Sequence, residues 1–473
     1  MIDISDFKSA ELPFRIFEEF SKIPRGSGNT KAIADYLVDF AERRGLFVYR
    51  DASDNVVIRK PATPGYENRP AIIFQGHTDI VAEKAQNVNI DMQNEGLSLY
   101  RDGDFLRARG TTLGADDGVA MAYALAVLDS DDIIHPEFEA VFTSDEEIGL
   151  LGAVALDASV LHGKMLINID SDEEGIFTAG CAGGARVDLS IPVSFGEYSG
   201  NSYKLSLSGL RGGHSGVEID KGRVNAIRAA AAALSLISDA RLISFVAGNA
   251  DNAIPRDAEI IFGSESLTED NAARIVSEAK KFVTDEEDAV FTIERINFPS
   301  LALDVGASRN ILSLITSLPN GVTRMSEDIP GLVETSLNMG IARLEDKNFA
   351  LTQSVRSAKS LEKARLIEKI RETAFAHGAT VSVRGEYPAW EYRSESHLRD
   401  VMCRVYSDMY GKDATVVTIH AGLECGIFSD KIAGLDCVSI GPDNYDIHTP
   451  EERLSLPSFM RVWEYLIEVL KNL

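Results

Sequence analysis

In the stretch AIIFQGHTDI (residues 71–80) an apolar run breaks at a glycine and is followed by His77 and Asp79. An imidazole and a carboxylate two residues apart on extended backbone point the same way. The acid can then accept the spare ring N–H, fix its tautomer and raise its basicity. The same pattern, an apolar run followed by an acid or an imidazole, recurs along the chain: Asp116 in TTLGADDGVAM, Glu146 and Glu147 in FTSDEEIG, Asp170 in LINIDSDEEG and His448 in GPDNYDIHTP. His77, Asp116, Glu147, Asp170 and His448 offer two imidazoles and three carboxylates. That donor set suits Zn²⁺, or Mn²⁺ and Co²⁺ in its place. One carboxylate has two oxygens, so Asp116, in a glycine-flanked turn, could bridge two ions. A pair about 3.5–4 Å apart would hold a hydroxide between them near neutral pH. Glu146, projecting differently from Glu147, would then face the bound water and take its proton.

Such residues need a scaffold that gathers the ends of strands. Residues 10–45 read as two helices closed by Gly45, and the strand-like runs DNVVIRK, AIIFQ, FEAVFTS and KMLINID follow, the last three separated by helical stretches. Almost wholly apolar strands alternating with helices predict a sheet covered on both faces, with ligands collecting at the carboxyl ends of its strands. From about residue 187 the strands alternate in and out, as in YKLSLSGL, AEIIFG and AVFTIERI, between helices at 223–238 and 360–378. This predicts half-exposed antiparallel strands in two rounds of an α+β sandwich. Apolar strands return in ATVVTI and LDCVSIG. The fold class expected is α/β, with a discontinuous catalytic domain (1–184 and 393–473) carrying a helix-covered, mainly parallel sheet, and an inserted α+β lid domain (185–392).

At 473 residues the chain exceeds what one hydrophobic core usually serves. Its formal charge of −26 argues against nucleic acid or an anionic membrane as partner, because a polyanion is repelled. The N-terminus has no basic segment leading into an apolar one, and no window approaches a membrane span. The four cysteines, irregularly spaced, form no C-x-x-C knuckle and read as free thiols of a cytoplasmic protein. No G-x-S-x-G elbow points to a serine hydrolase.

The blocks GHTD, ARGTTLGADDGVAMA, TSDEEIGLLGA, NIDSDEEG, GGHSG, HAGLECGIF and IHTPEE, in this order between residues 76 and 452, resemble the signatures of the co-catalytic zinc peptidases related to aminoacylase and carnosinase. Within them they are most similar to the bacterial aminoacyl-histidine dipeptidase (Xaa-His dipeptidase, peptidase D) branch. The resemblance implies two zinc ions, one held by His77 and Asp170, the other by Glu147 and His448, with Asp116 shared. It assigns Asp79 to orienting His77, Glu146 to general acid/base work, and a cis peptide to Asp116–Asp117.

Five further residues are read as substrate contacts, the first four from the resemblance. His214, in the glycine-rich turn GLRGGHSG, becomes the donor to a tetrahedral oxyanion, in its own subunit or across a homodimer. Asn252 and Arg356 occupy substrate-contact positions, and the Arg356 fork matches the free carboxylate of a dipeptide. The Gly422 amide in HAGLECG would reach the same carboxylate, and Glu424 would face a substrate imidazole. His135, His162, His377 and His397 are read as structural or exposed. The activity implied is hydrolysis of unblocked dipeptides ending in histidine. The alternatives are an N-acyl amino-acid deacylase, a tripeptide aminopeptidase or, from another class, a non-catalytic metal-stabilised binding protein.

Overall fold

A computed structural model of the chain describes residues 2–283, 288–297, 300–327 and 329–473. The chain divides into two compact units: residues 1–181, 392–418 and 423–473 form the first, and 182–391 with 419–422 the second.

An eight-stranded sheet organises the first unit. Its middle is parallel: Phe138–Thr143, Ile72–His77, Met165–Asn168 and Asp436–Ser439 lie side by side, while antiparallel strands flank them. Phe138–Thr143, Ile72–His77 and Met165–Asn168 are buried at every position, as strands covered on both faces must be. Glu139 is tolerated there because Arg59 lies 3.0 Å from its carboxylate, which also accepts the N–H groups of His162 and Gly163.

The helix Ala115–Asp129 is buried on every side from Gly118 to Leu128, matching a sequence that is apolar all round. The strand Ile72–His77 passes so close beneath its first turn that a Cβ at Gly76 would stand 2.2 Å from both Ala120 Cβ and Asp117 Oδ2. Only glycine permits that approach, which explains the break in the apolar run. Tyr123 of this helix packs on Phe459 and Trp463 of the terminal helix Leu456–Asn472 and donates its hydroxyl to the Phe459 carbonyl at 2.6 Å. The helix expected over GLLGAVALDAS is a single short α-helix, Leu151–Ala155, ended by Leu156 at φ −58°, ψ 128°.

The second unit is built on a nine-stranded antiparallel sheet. Its strand Ser202–Ser208 alternates buried and half-buried from Tyr203 to Leu207, the period of two seen in the sequence. Helices Ala226–Leu234, Glu269–Ala279, Val305–Ser317 and Ser360–Ala376 share one apolar core with the sheet. The first of them starts at 226 rather than 223 because the Asn225 side chain accepts the N–H groups of Ile227 and Arg228, an N-cap. Among the described residues no helix is long and apolar enough to cross a membrane, and the four cysteines are free.

Candidate metal centre and substrate face

Parallel pairing brings the strand ends to one level. His77 pairs with Thr143 and Gln75 with Asn168, so the chain leaving each strand delivers its polar residue to the same place. His77 is the last residue of its strand, and Glu146, Glu147 and Asp170 follow within a few residues of the neighbouring ends. Asp116 enters at the start of the helix Ala115–Asp129, behind Gly114 at φ 67°, and the Asp116–Asp117 peptide is cis.

The two oxygens of Asp116 face different imidazoles. Oδ1 lies 3.0 Å from His77 Nε2, and Oδ2 lies 3.0 Å from His448 Nε2. His77 Nε2 is also 3.6 Å from Asp170 Oδ1, and His448 Nε2 is 3.1 Å from Glu147 Oε1. The result is two overlapping triads, His77–Asp116–Asp170 and Asp116–Glu147–His448, each with ligand atoms within 4.8 Å of one another. Burial works to raise the Asp116 carboxyl, but hydrogen bonds to His448 and His77 hold it below the usual carboxylate range, whereas burial pushes Asp170 up to about 6. Packing Glu146, Glu147, Asp116 and Asp170 around two imidazoles leaves negative charge that a divalent cation offsets. The all-oxygen-and-nitrogen donor set fits Zn²⁺, Mn²⁺ or Co²⁺.

Asp79 faces His77 with both its carboxylate, as its spacing predicts, and its main chain. His77 Nδ1 lies 3.0 Å from the main-chain oxygen of Asp79, and the carboxylate stands behind at 3.5 Å. That carboxylate is turned towards the Ser27 hydroxyl at 2.8 Å and the N–H groups of Glu146 at 3.0 Å and Glu147 at 3.3 Å. The carbonyl of Asp79 therefore lies nearer the His77 ring than its carboxylate does, and the carboxylate also accepts the backbone N–H groups of both glutamates. The chain reaches those glutamates through Asp145 at φ 52°, and the Glu146 carbonyl accepts the N–H groups of Gly149 at 2.9 Å and Leu150 at 2.8 Å, closing a turn. Glu146 and Glu147 both come within 4.8 Å of His77.

Neighbouring residues hold this arrangement. Asp117 Oδ2 accepts the His77 N–H at 3.2 Å. Glu424 is wholly buried, with Oε2 taken by Gln75 Nε2 at 2.5 Å and the Thr143 hydroxyl at 2.7 Å. It is thus part of the wall behind the strand ends rather than an exposed partner for an imidazole. His162 also has a cluster, with Glu137 and Glu139. The oxygens of Glu139 are already engaged by Arg59 and two backbone N–H groups, which argues against an ion there.

The second unit carries the other four candidates. His214 pairs with Ala253 across a two-residue ladder, and Ser215 donates its N–H to the Asn252 carbonyl at 2.8 Å, so Asn252 lies beside the histidine turn. His214 Nδ1 accepts from the N–H groups of Gly216 at 3.1 Å and Val217 at 3.3 Å. An acceptor Nδ1 places the ring proton on Nε2, the state needed for a donor. Burial first, then the Arg356 charge, lowers the His214 pKa and favours the neutral ring.

Ser336, Arg356, Gly184 and Tyr387 stand in one row across four adjacent strands. A Cβ at Gly184 would stand 2.5 Å from the Tyr387 ring. The missing side chain lets the phenol lean across, and Arg356 Nη1 reaches its oxygen at 3.2 Å. The same ring lies against Gly422, where a Cβ would stand 2.7 Å away. His420 Nε2 is 2.7 Å from the Ser336 hydroxyl. Among the described residues no carboxylate pairs with Arg356, which makes this row a face suited to an anion. Sequence reasoning missed Tyr387. Its part in the row depends on strand register, which no local run of residues reveals.

Fold and site together describe a hydrolase with a carboxylate-rich centre at the ends of parallel strands. The chain matches peptidase family M20/M25/M40 over residues 73–472 and belongs to it, an enzyme that hydrolyses peptide bonds. It is 34% identical over 473 residues to the cytosol non-specific dipeptidase of Escherichia coli, covering 97% of this chain and 96% of that one. Its structure is similar to that of aminoacylhistidine dipeptidase from Vibrio alginolyticus, with TM-score 0.90 and 33% identity over 98% of this chain and 97% of that one. The aminopeptidase PepT of Bacillus cereus shares the fold at TM-score 0.57 and 17% identity, over 98% of each chain.

Proposed function

We propose that this peptidase is a two-metal dipeptidase that cuts unblocked dipeptides, those with a C-terminal histidine among its preferred substrates, in the cytoplasm. The observation that carries the reading is the pair of triads sharing Asp116. His77, Asp116 and Asp170 would hold one cation, and Asp116, Glu147 and His448 the other. Two such ions, when bound, polarise a peptide carbonyl and acidify water.

The chain's own groups do the rest. Glu146, held by Asp79, takes the proton from the attacking water and returns it to the leaving amine. Burial works to raise the Glu146 carboxyl, which suits a group that must carry a proton between two steps. The first unit is the catalytic domain and the second the lid. In the lid, His214 Nε2–H stabilises the oxyanion, while Arg356, with Asn252 and the Gly422 amide, recognises the free carboxylate. This selection excludes internal peptide bonds.

The similarity to the Vibrio enzyme supports histidine at the C-terminal side, and the similarity to the E. coli enzyme supports a broader set of dipeptides. Metal quantification beside a hydrolysis panel tests the reading: Xaa-His dipeptides, β-alanyl-histidine, other dipeptides, tripeptides and N-acetyl amino acids, before and after chelation. The expected result is chelator-sensitive cleavage of dipeptides, restored by Zn²⁺, Mn²⁺ or Co²⁺. Preferential cleavage of tripeptides or N-acetyl amino acids would replace it with one of the related activities.

A further inference from the structure

Glu452 lies four residues beyond His448 and is 2% exposed. Its carboxylate accepts four consecutive backbone N–H groups: Leu113 at 2.8 Å and Gly114 at 2.9 Å on Oε2, Ala115 at 2.9 Å and Asp116 at 3.4 Å on Oε1. A helix start leaves such groups unpaired, and Gly114, the residue before the helix Ala115–Asp129, has no side chain to cap it. An acid more than three hundred residues away in sequence fills the gap. On the carbonyl side, buried Arg25 donates to Gly114 O at 2.6 Å and to Thr78 O at 2.8 Å. The loop 113–116 is thus gripped through its N–H groups by an anion and through a carbonyl by a cation, and the grip sets where the Asp116 side chain points.

The same short segment that carries Glu452 carries His448, and Glu452 N–H closes a turn onto Thr449 O at 3.1 Å. One short piece of chain therefore carries His448 and binds the backbone of the acid opposite it, whose Oδ2 is 3.0 Å away. Asn444 Nδ2, 3.4 Å from Glu452 Oε1, backs the carboxylate.

Resting on the two-metal reading, we propose that Glu452 is a positioning residue that holds Asp116 in its bridging orientation. An ordinary helix cap would contribute stability alone. A positioning residue also governs the geometry and affinity of the metal centre, where the loss of such support typically weakens binding about 10–100-fold.

Zn²⁺ titration calorimetry of the chelated protein and the visible spectrum of its Co²⁺ form, on the wild type, Glu452→Gln and Asn444→Ala, decide between the two. The expected result is two equivalents in the wild type, affinity about 10–100-fold weaker with a shifted Co²⁺ spectrum in Glu452→Gln, and a smaller change in the same direction in Asn444→Ala. Wild-type affinity and spectrum in Glu452→Gln, even with a lowered melting temperature, would overturn the proposal. If Glu452→Gln does not fold, a wild-type spectrum and affinity in Asn444→Ala would overturn it instead. A wild type that fails to take up two equivalents would overturn the two-metal reading, and this inference with it.

Discussion

The carboxylate of Asp79 accepts the backbone N–H of Glu146 across 3.0 Å. The bond joins the turn after the strand Ile72–His77 to the turn after Phe138–Thr143, so the residue proposed to orient His77 also holds the backbone of the proposed proton carrier. Asp79→Ala removes this acceptor and the one facing Glu147 while leaving every proposed ligand in the sequence. Dipeptide turnover is expected to fall about 10–100-fold. Steady-state kinetics beside metal analysis check this, and unchanged kcat and metal content would show that the bond positions nothing of consequence.

Glu146 and His448 should separate in their effects. Glu146→Ala is expected to keep both metal equivalents and lose about 10²–10⁴ in kcat, whereas His448→Ala should lose one equivalent. Metal quantification of both variants decides it. A metal-replete Glu146→Ala protein with full turnover would remove Glu146 from the mechanism.

Arg356 and Tyr387 meet across Gly184 at 3.2 Å. If this row binds the substrate carboxylate, Tyr387→Phe should raise KM by about tenfold, the scale of one hydrogen bond to a charged group. Arg356→Lys should raise it further, since an ammonium cannot form the planar fork. Neither variant should change the response to the corresponding dipeptide amide. An equal loss on acid and amide would place the row outside carboxylate recognition.

Asp239 offers a test of stability against pH. Burial works to raise its carboxyl, but the Ser264 and Ser266 hydroxyls at 2.7 Å and the N–H groups of Ser266 and Glu265 at 2.9 Å hold it at about 2. A pKa depressed on folding contributes stability in full above the unfolded value near 4 and loses it as pH falls through the folded one. Asp239→Asn should therefore melt below the wild type at pH 7, with the gap closing between about pH 4 and pH 2. Thermal unfolding at a series of pH values measures it. A gap that stays constant would assign the effect to packing.

Much of this molecule is legible before folding because its signals are local. Almost wholly apolar runs mark the covered strands Ile72–His77, Phe138–Thr143 and Met165–Asn168, and period-two runs mark half-exposed ones such as Ser202–Ser208. The types of His77, Asp116, Glu147, Asp170 and His448, each placed after a strand or before a helix, are likewise readable one segment at a time. Helix limits were less so, since the start at Ala226 depends on a single capping side chain.

Tertiary structure alone decided which atoms meet. Nothing near Asp79 in sequence says that its carbonyl rather than its carboxylate lies nearer the His77 ring, because the competing donors come from Ser27, Glu146 and Glu147. The reach of Glu452 back to residues 113–116, and of Tyr387 over Gly184 to Arg356, is set by chain crossings and strand register. Composition and periodicity fix what a segment buries. A hydrogen bond between residues hundreds of positions apart exists only once packing has fixed their separation to within an ångström, and that precision belongs to the folded chain.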